Sequence, residues 1–160
     1  MQRAITRMVL MGVSGSGKTT VGRALSDRTG VPYLDGDDLH PPANIAKMAA
    51  GEPLTDADRA PWLEKVADAL GDAPVIVGCS ALKRRYRDVL RRAGPVLFVH
   101  LSGRPEVLAA RMAGRTGHFM PGALLQSQLA ALEPPGTDED AITVDIDQPL
   151  QAIVDAIATR

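Results

Sequence analysis

The sequence predicts a doubly wound α/β domain on a sheet of five parallel strands, and three observations predict it. Short apolar runs alternate with stretches of helical periodicity along the whole chain. Those runs show little polar alternation, as expected of strands covered by helices on both faces. A glycine-rich turn joins the first run to the first helical stretch, where open sheets of this kind gather ligands. At 160 residues the chain fits one domain, 1–160, large enough to bury a core.

The first strand, 8–11, is the apolar run MVLM, and a helix over 18–28 follows the glycine turn. The second strand, 31–34 (VPYL), runs into a cluster of acids. Thr55 is a suitable N-cap for a long helix over 56–70. The third strand is 75–77 (VIV), followed by a helix over 84–92. The fourth strand, 96–101 (VLFVHL), precedes a helix over 105–112 with Pro105 at an early helical position. A helix over 123–132, a fifth strand at 142–144 (ITV) and a last helix over 150–158 complete the order.

Composition narrows the functional class. With 45% apolar and 23% charged residues the chain has the profile of an ordinary soluble globular protein. A formal net charge of −1 argues against a general nucleic-acid binder, with Lys83-Arg84-Arg85 the one local basic patch. The first apolar stretch is too short for a membrane span, and no small-residue cleavage site follows it. The single cysteine, Cys79, cannot form an internal disulfide, which suits a reducing cytoplasm. Cys79 has no evident activating base and reads as packing.

Residues 12–19, Gly12-Val13-Ser14-Gly15-Ser16-Gly17-Lys18-Thr19, satisfy the phosphate-loop pattern G-x-x-x-x-G-K-[ST]. Gly15 and Gly17 permit backbone conformations closed to other residues and let main-chain N–H groups approach phosphate oxygens. The following helix aims its positive end at the same anion. Lys18 is placed to reach the β- and γ-phosphates, and the Thr19 hydroxyl to ligate Mg²⁺. Strand before and helix after confirm the string, so the expected nucleotide-binding set runs from Gly12 through Thr19 to Thr20.

The second strand ends in LDGDDLHP. Asp35 and Asp37 would project to the same side if the backbone stayed extended, just beyond a strand's carboxyl end. One carboxylate can orient an acceptor hydroxyl and take its proton, and another can support Mg²⁺. The alternative is an Asp-Gly turn with solvated acids, the better reading for Asp38. Asn44, Lys47, Arg59 and Lys83 are candidate ligands for an anionic substrate, although each alone reads more readily as a solvated surface group than as a ligand. Trp62 reads as core sooner than as a substrate platform, and His40 could equally cap or brace its Pro-Pro turn.

Arg111 and Arg115 fall on one helical face, and Gly114, Gly117 and Gly122 loosen the stretch after them. A mobile basic lid over about 113–122 would exclude water and stabilise charge during transfer, whereas an exposed helix end carries arginines equally well. Residues 144–149, VDIDQP, fit a loop against an adenine base or a plain strand-to-helix turn.

Taken together, these strings resemble the gluconate kinases of the shikimate-kinase and adenylate-kinase-like group. The resemblance covers nearly the whole chain. It runs from LMGVSGSGKTT through LDGDDLHPPANIAKMAAGEPLTDADRAPWL, CSALKRRYRDVLR, GRTGHF and LEPP to VDIDQPL. It departs only at the short connector Gly71-Asp72-Ala73-Pro74. The resemblance implies a phosphate-loop fold with a mobile lid, usually dimeric. It also implies transfer of the ATP γ-phosphate to the 6-hydroxyl of D-gluconate with Mg²⁺. Residue by residue, it implies Lys18, Asp37 and Arg115 in catalysis, and Thr19 and Asp35 at the metal. Asp37, His40, Asn44, Lys47, Arg59, Lys83 and His118 would meet the sugar acid, and Arg111 and Pro149 would flank adenine. A shikimate or other small-metabolite kinase is the alternative within kinases. A nucleotide-binding switch is the alternative outside them, and the absence of an Asn-Lys-x-Asp string counts against it.

Overall fold

The computed structural model describes residues 5–113 and 122–159. Five strands, β1 (Arg7–Met11), β2 (Tyr33–Asp35), β3 (Val75–Gly78), β4 (Leu97–Ser102) and β5 (Ala141–Asp145), form one sheet in the order β2-β3-β1-β4-β5. Every pairing is parallel, with Met8 opposite Ile76 on one side and Leu97 on the other. The predicted sheet is therefore present, with β1 at its centre.

Seven helices connect the strands among the described residues: α1 (Lys18–Thr29), α2 (Pro42–Ala49), α3 (Asp56–Leu70), α4 (Arg84–Leu90), α5 (Pro105–Ala113), α6 (Gly122–Ala131) and α7 (Leu150–Ala158). Alternate side chains of β1 enter opposite layers. Met8 and Leu10 pack with Leu25, Leu108, Leu125 and Ile153 beneath α1, α5, α6 and α7. Val9 and Met11 pack with Trp62, Val66, Leu70, Tyr86 and Leu90 beneath α3 and α4. Both faces are buried, so the strand has no polar alternation to show.

Three local differences from the expectation have physical causes. The predicted second strand starts later, at Tyr33, because Pro32 has no N–H for the ladder; its carbonyl still accepts from Ile76 at 2.9 Å. The expected helix over 84–92 ends at Leu90 and tightens into a 3₁₀ turn over Arg91–Ala93. The helix α2 was not foreseen: the Pro41-Pro42 pair reads as a break, yet Pro42 opens a helix, where a missing N–H costs nothing. Thr55 does cap α3, in a reciprocal box with Asp58: Asp58 N–H donates to Thr55 Oγ1 at 3.1 Å and Thr55 N–H donates to Asp58 Oδ2 at 2.9 Å.

One ion pair is fully out of water. The side chains of Arg87 and Glu139 are 0% and 1% exposed. Arg87 donates from Nε to Glu139 Oε1 at 2.7 Å and from Nη2 to Oε2 at 3.1 Å. Its Nη1 donates to the carbonyl of Ala81 at 2.9 Å. The Gly136 N–H completes the carboxylate at 2.7 Å, and Arg91 also reaches it. Burial alone would push the Glu139 carboxyl up, but the two arginines and the Gly136 N–H hold it down at about 2.

Glu139→Gln leaves Arg87 buried without its counter-charge and should cost about 3 kcal/mol. That corresponds to a melting temperature lower by about 8 °C in a domain of this size. A carboxyl with a lowered folded-state pKa stabilises the fold above its ordinary pKa, and that contribution disappears as pH falls toward 2. The variant should therefore show a shallower loss of stability between pH 5 and 2 than the parent in a calorimetric pH series.

Candidate active site

The phosphate loop leaves β1 at Met11 and turns three times through left-handed glycine conformations. Gly12, Gly15 and Gly17 have φ of 151°, 85° and 90°. At Gly12 the turn is also sterically closed, because a Cβ there would stand 2.8 Å from the Leu101 carbonyl and from Ser16 Oγ. Gly17 N-caps α1 without any side-chain cap, so the helix starts with its backbone N–H groups directed at the loop's mouth. Lys18 folds back over the loop, donating to the carbonyls of Gly12 at 2.9 Å and Val13 at 3.2 Å. The buried Ser16 hydroxyl has no hydrogen-bond partner among the described residues. This cradle, built of donors and closed to side chains, fits a polyphosphate. The expected set Gly12–Thr20 is brought together as one turn and the first residues of α1.

Asp35 is the last residue of β2 and pairs in register with Gly78. The backbone does not stay extended beyond it. It enters a 3₁₀ turn over Gly36–Leu39, and Asp35 Oδ1 accepts from the Asp37 N–H at 3.0 Å. Turn chemistry, rather than strand alternation, thus sets the acid pair side by side. The Asp37 carboxyl is held above the usual carboxylate range, first by loss of water and then by the charge of Asp35; Lys18 pulls it the other way. That electrostatic link places Asp37 and Lys18 in one site. Cys79, fully buried below, has its thiol pushed up to about 12 by burial, with the Asp37 charge adding, and is inert as expected.

The acceptor-side residues fall into two groups. In the first, His40 stacks on Trp62 with ring centroids 4.2 Å apart, and Trp62 Nε1 donates to the Gly36 carbonyl at 2.8 Å. Asn44 Nδ2 donates to the Asp58 carbonyl at 2.9 Å and faces His40 Nδ1 at 3.2 Å. A carbonyl only accepts, so the atom between them is the amide nitrogen and Nδ1 is an acceptor. His40 is therefore neutral with its proton on Nε2, and burial with the Arg59 charge lowers its pKa to about 4. Lys47 is paired with Asp58 at 2.8 Å, which holds the Asp58 carboxyl near 2. Asn44 and Lys47 thus already serve the α2–α3 junction.

The second group surrounds Tyr86. Arg59 donates to its hydroxyl at 3.2 Å, and the Arg59 guanidinium and Lys83 ammonium lie 5.5 Å and 5.8 Å from its ring centre. Tyr86 in turn donates to Asp56. Arg59 from α3, Lys83 from the loop after β3 and Arg85 from α4, 5.7 Å from the ring centre, are thus gathered around one aromatic ring.

On the far side of the phosphate loop, Arg111 donates to the Ile146 carbonyl at 2.8 Å. A cavity of about 130 Å³ lies there, lined by Thr20, Arg111, Gln148 and Leu150 among others. Pro149 N-caps α7 at its edge. Gln148 and Leu150 were not singled out by sequence; the 42% exposure of so apolar a residue as Leu150 is a signal visible only in the fold. Arg115, His118 and the 114–121 part of the expected lid lie outside the described residues. Among the described residues no group of three or more His, Cys, Asp or Glu side chains stands ready to chelate a metal. Thr19 with Asp35 would suit Mg²⁺ arriving with phosphate oxygens and water, as that ion prefers.

A family model described as shikimate kinase matches residues 14–157. The chain is 52% identical over 143 residues to a gluconokinase of Gluconobacter oxydans, covering 86% of this chain and 80% of that protein. A solved gluconokinase structure from Sinorhizobium meliloti 1021 superposes with a TM-score of 0.92 at 51% identity, covering 98% of this chain and 91% of the other. A shikimate kinase from Bacteroides thetaiotaomicron shares the fold, with a TM-score of 0.68 over 96% and 97% of the two chains, but only 20% of the sequence. The phosphate loop, the acid pair opposite it and this distribution of identity agree: the chain belongs to the gluconokinase family of shikimate-kinase-like phosphate-loop kinases.

Proposed function

We propose that the chain is a gluconokinase, transferring the γ-phosphate of ATP to the 6-hydroxyl of D-gluconate to give 6-phosphogluconate and ADP. The observation that carries this reading is Asp37 near enough to Lys18 of the phosphate cradle for the lysine charge to act on its carboxyl, in a chain about half identical to gluconokinases. The cradle of Gly12–Thr20 binds and aligns the triphosphate. Lys18, now held by the Gly12 and Val13 carbonyls, follows the negative charge that develops on the transferred group. Asp37 orients the acceptor hydroxyl and takes its proton; a carboxyl with a raised pKa is the better base. Arg59 and Lys83 receive the sugar carboxylate, and the Nε2–H of His40 is the donor for a sugar hydroxyl. Thr19 and Asp35 hold Mg²⁺, which supplies charge neutralisation on the phosphates. Arg115 and His118 of the lid, Asn44 and Lys47 beside the sugar, and Arg111 with Pro149 at adenine complete the reading. So do a cytoplasmic homodimer and the absence of nucleic-acid or membrane partners. No helix among the described residues is long and apolar enough to cross a membrane.

A panel of acceptors assayed with ATP and Mg²⁺ should show preference for D-gluconate; a preference for shikimate would overturn the assignment. Lys18→Ala should reduce kcat by about 100-fold or more with the melting temperature preserved. Near-normal turnover would remove Lys18 from the chemistry. Asp37→Asn should lower kcat by at least about 100-fold with little change in ATP affinity. Its stability should move the other way. A carboxyl whose folded-state pKa is raised destabilises the fold once ionised, so at pH 7 the Asn variant should melt higher than the parent. That advantage should vanish as pH falls below the ordinary carboxylate pKa, which a thermal-melt series across pH 3.5 to 7.5 would read.

A further inference from the structure

Gln128 on α6 meets the phosphate loop at a single residue, twice. The Ser14 N–H donates to Gln128 Oε1 at 2.7 Å, and Gln128 Nε2 donates to Ser14 Oγ at 3.1 Å. A backbone N–H can only donate, so the oxygen of the amide must face it and the amide has no freedom to flip. The amide nitrogen then necessarily faces the Ser14 hydroxyl as donor. With Gln128 occupying a lone pair, the single hydroxyl hydrogen is left to donate in another direction.

That direction has a chemical meaning because of where Ser14 stands. The Lys18 ammonium lies against the carbonyls of Gly12 and Val13, the two residues immediately before Ser14. In this loop the lysine marks the β/γ end of the triphosphate. Ser14 is thus at the outer phosphate, upstream of the glycine cap from which α1 addresses the inner ones. Gln128 itself is anchored. Leu125, one turn earlier on α6, is in the core, and just past the helix Glu133 donates from its backbone to the Leu82 carbonyl at 2.7 Å. Glu133 Oε1 also accepts from the Arg84 N–H at 2.9 Å.

We propose that Gln128 is a positioning residue for phosphoryl transfer: it fixes the crest of the phosphate loop and directs the Ser14 hydroxyl hydrogen to the terminal phosphate. The proposal rests on the kinase reading above but not on the identity of the acceptor. Its test is a comparison of two nucleotides by titration calorimetry with Mg²⁺: the non-hydrolysable imido analogue of ATP, which has the terminal phosphate, and ADP, which lacks it. Q128M removes both hydrogen bonds to Ser14 at similar side-chain length, and S14A removes the hydroxyl. Each should weaken the imido analogue by about tenfold or more and ADP by less than about twofold, the lower end of what one hydrogen bond to a charged group contributes. The double variant should be no more than about twofold weaker than the worse single, since Gln128 acts through Ser14. Equal weakening of both nucleotides, no weakening of either, or full multiplication of the two effects would each overturn the proposal. If Q128M melts well below the parent, Q128E replaces it with the same criteria. Glutamate still accepts from the Ser14 N–H but takes the hydroxyl hydrogen onto itself. A chain that bound nucleotides as expected yet ignored gluconate would fail the acceptor reading and leave this one standing.

Discussion

The carboxyl edge of the sheet is organised around a turn that has no room for side chains. Gly12 must hold φ near 151° while its α-carbon lies so close to the Leu101 carbonyl that any Cβ would collide. This contact ties the end of β1 to the end of β4, at the centre of the sheet. The loop that emerges can only present backbone and the few side chains it carries at its crest. A polyphosphate is what such a surface can bind: dense in N–H donors, set at a helix start, and backed by a buried hydrophobic layer that discourages water.

The loop's neighbours hold it through a relay of short contacts. The Gly12 N–H donates to the Ser80 carbonyl at 3.2 Å, and Cys79 donates to Leu10 at 3.0 Å. The next residue, Ala81, has φ of 45°, an unfavourable conformation for alanine. It persists because Arg87 grips its carbonyl from a site fully out of water, itself neutralised by Glu139 in the turn just before β5. One buried ion pair therefore joins α4, the loop that carries Lys83 and the turn that leads into the last strand. Its value is geometric as much as energetic, since replacing such pairs by apolar residues often costs little.

Charge in the site is distributed by the same packing. Asp35 caps the turn that carries Asp37, and the charge of Lys18 acts against the crowding of the pair. On the acceptor side the structure leaves few groups uncommitted. Lys47 is tied to Asp58 and Asn44 to the Asp58 carbonyl, while Arg59 and Lys83 both lie against the Tyr86 ring. His40 is held neutral on the face of Trp62. A ligand with one carboxylate and several hydroxyls suits that division.

Much of this could be read from the chain. The pattern at residues 12–19 is local, so strand, turn and helix signals within a dozen residues specify it, and every strand was located by its short apolar run, β2 only in part. Thr55 as a cap and Cys79 as inert packing were legible for the same reason, because each depends on immediate neighbours. What stayed hidden depends on residues distant in sequence. Sequence suggested that Asp35 and Asp37 share a side by alternation, but a turn at Gly36 sets them together. The helix α2 begins at a proline pair that reads as a break until Pro42 is seen in its first turn. Nothing local marks Glu139 as the partner of Arg87, 52 residues away, or Gln128 as the partner of Ser14, 114 residues away. Sequence by itself determined the chemistry of the phosphate loop, whose function resides in contiguous backbone. Only the tertiary structure decided which side chains are spent on the fold and which remain for a ligand, because hydrogen-bond capacity is allotted by packing.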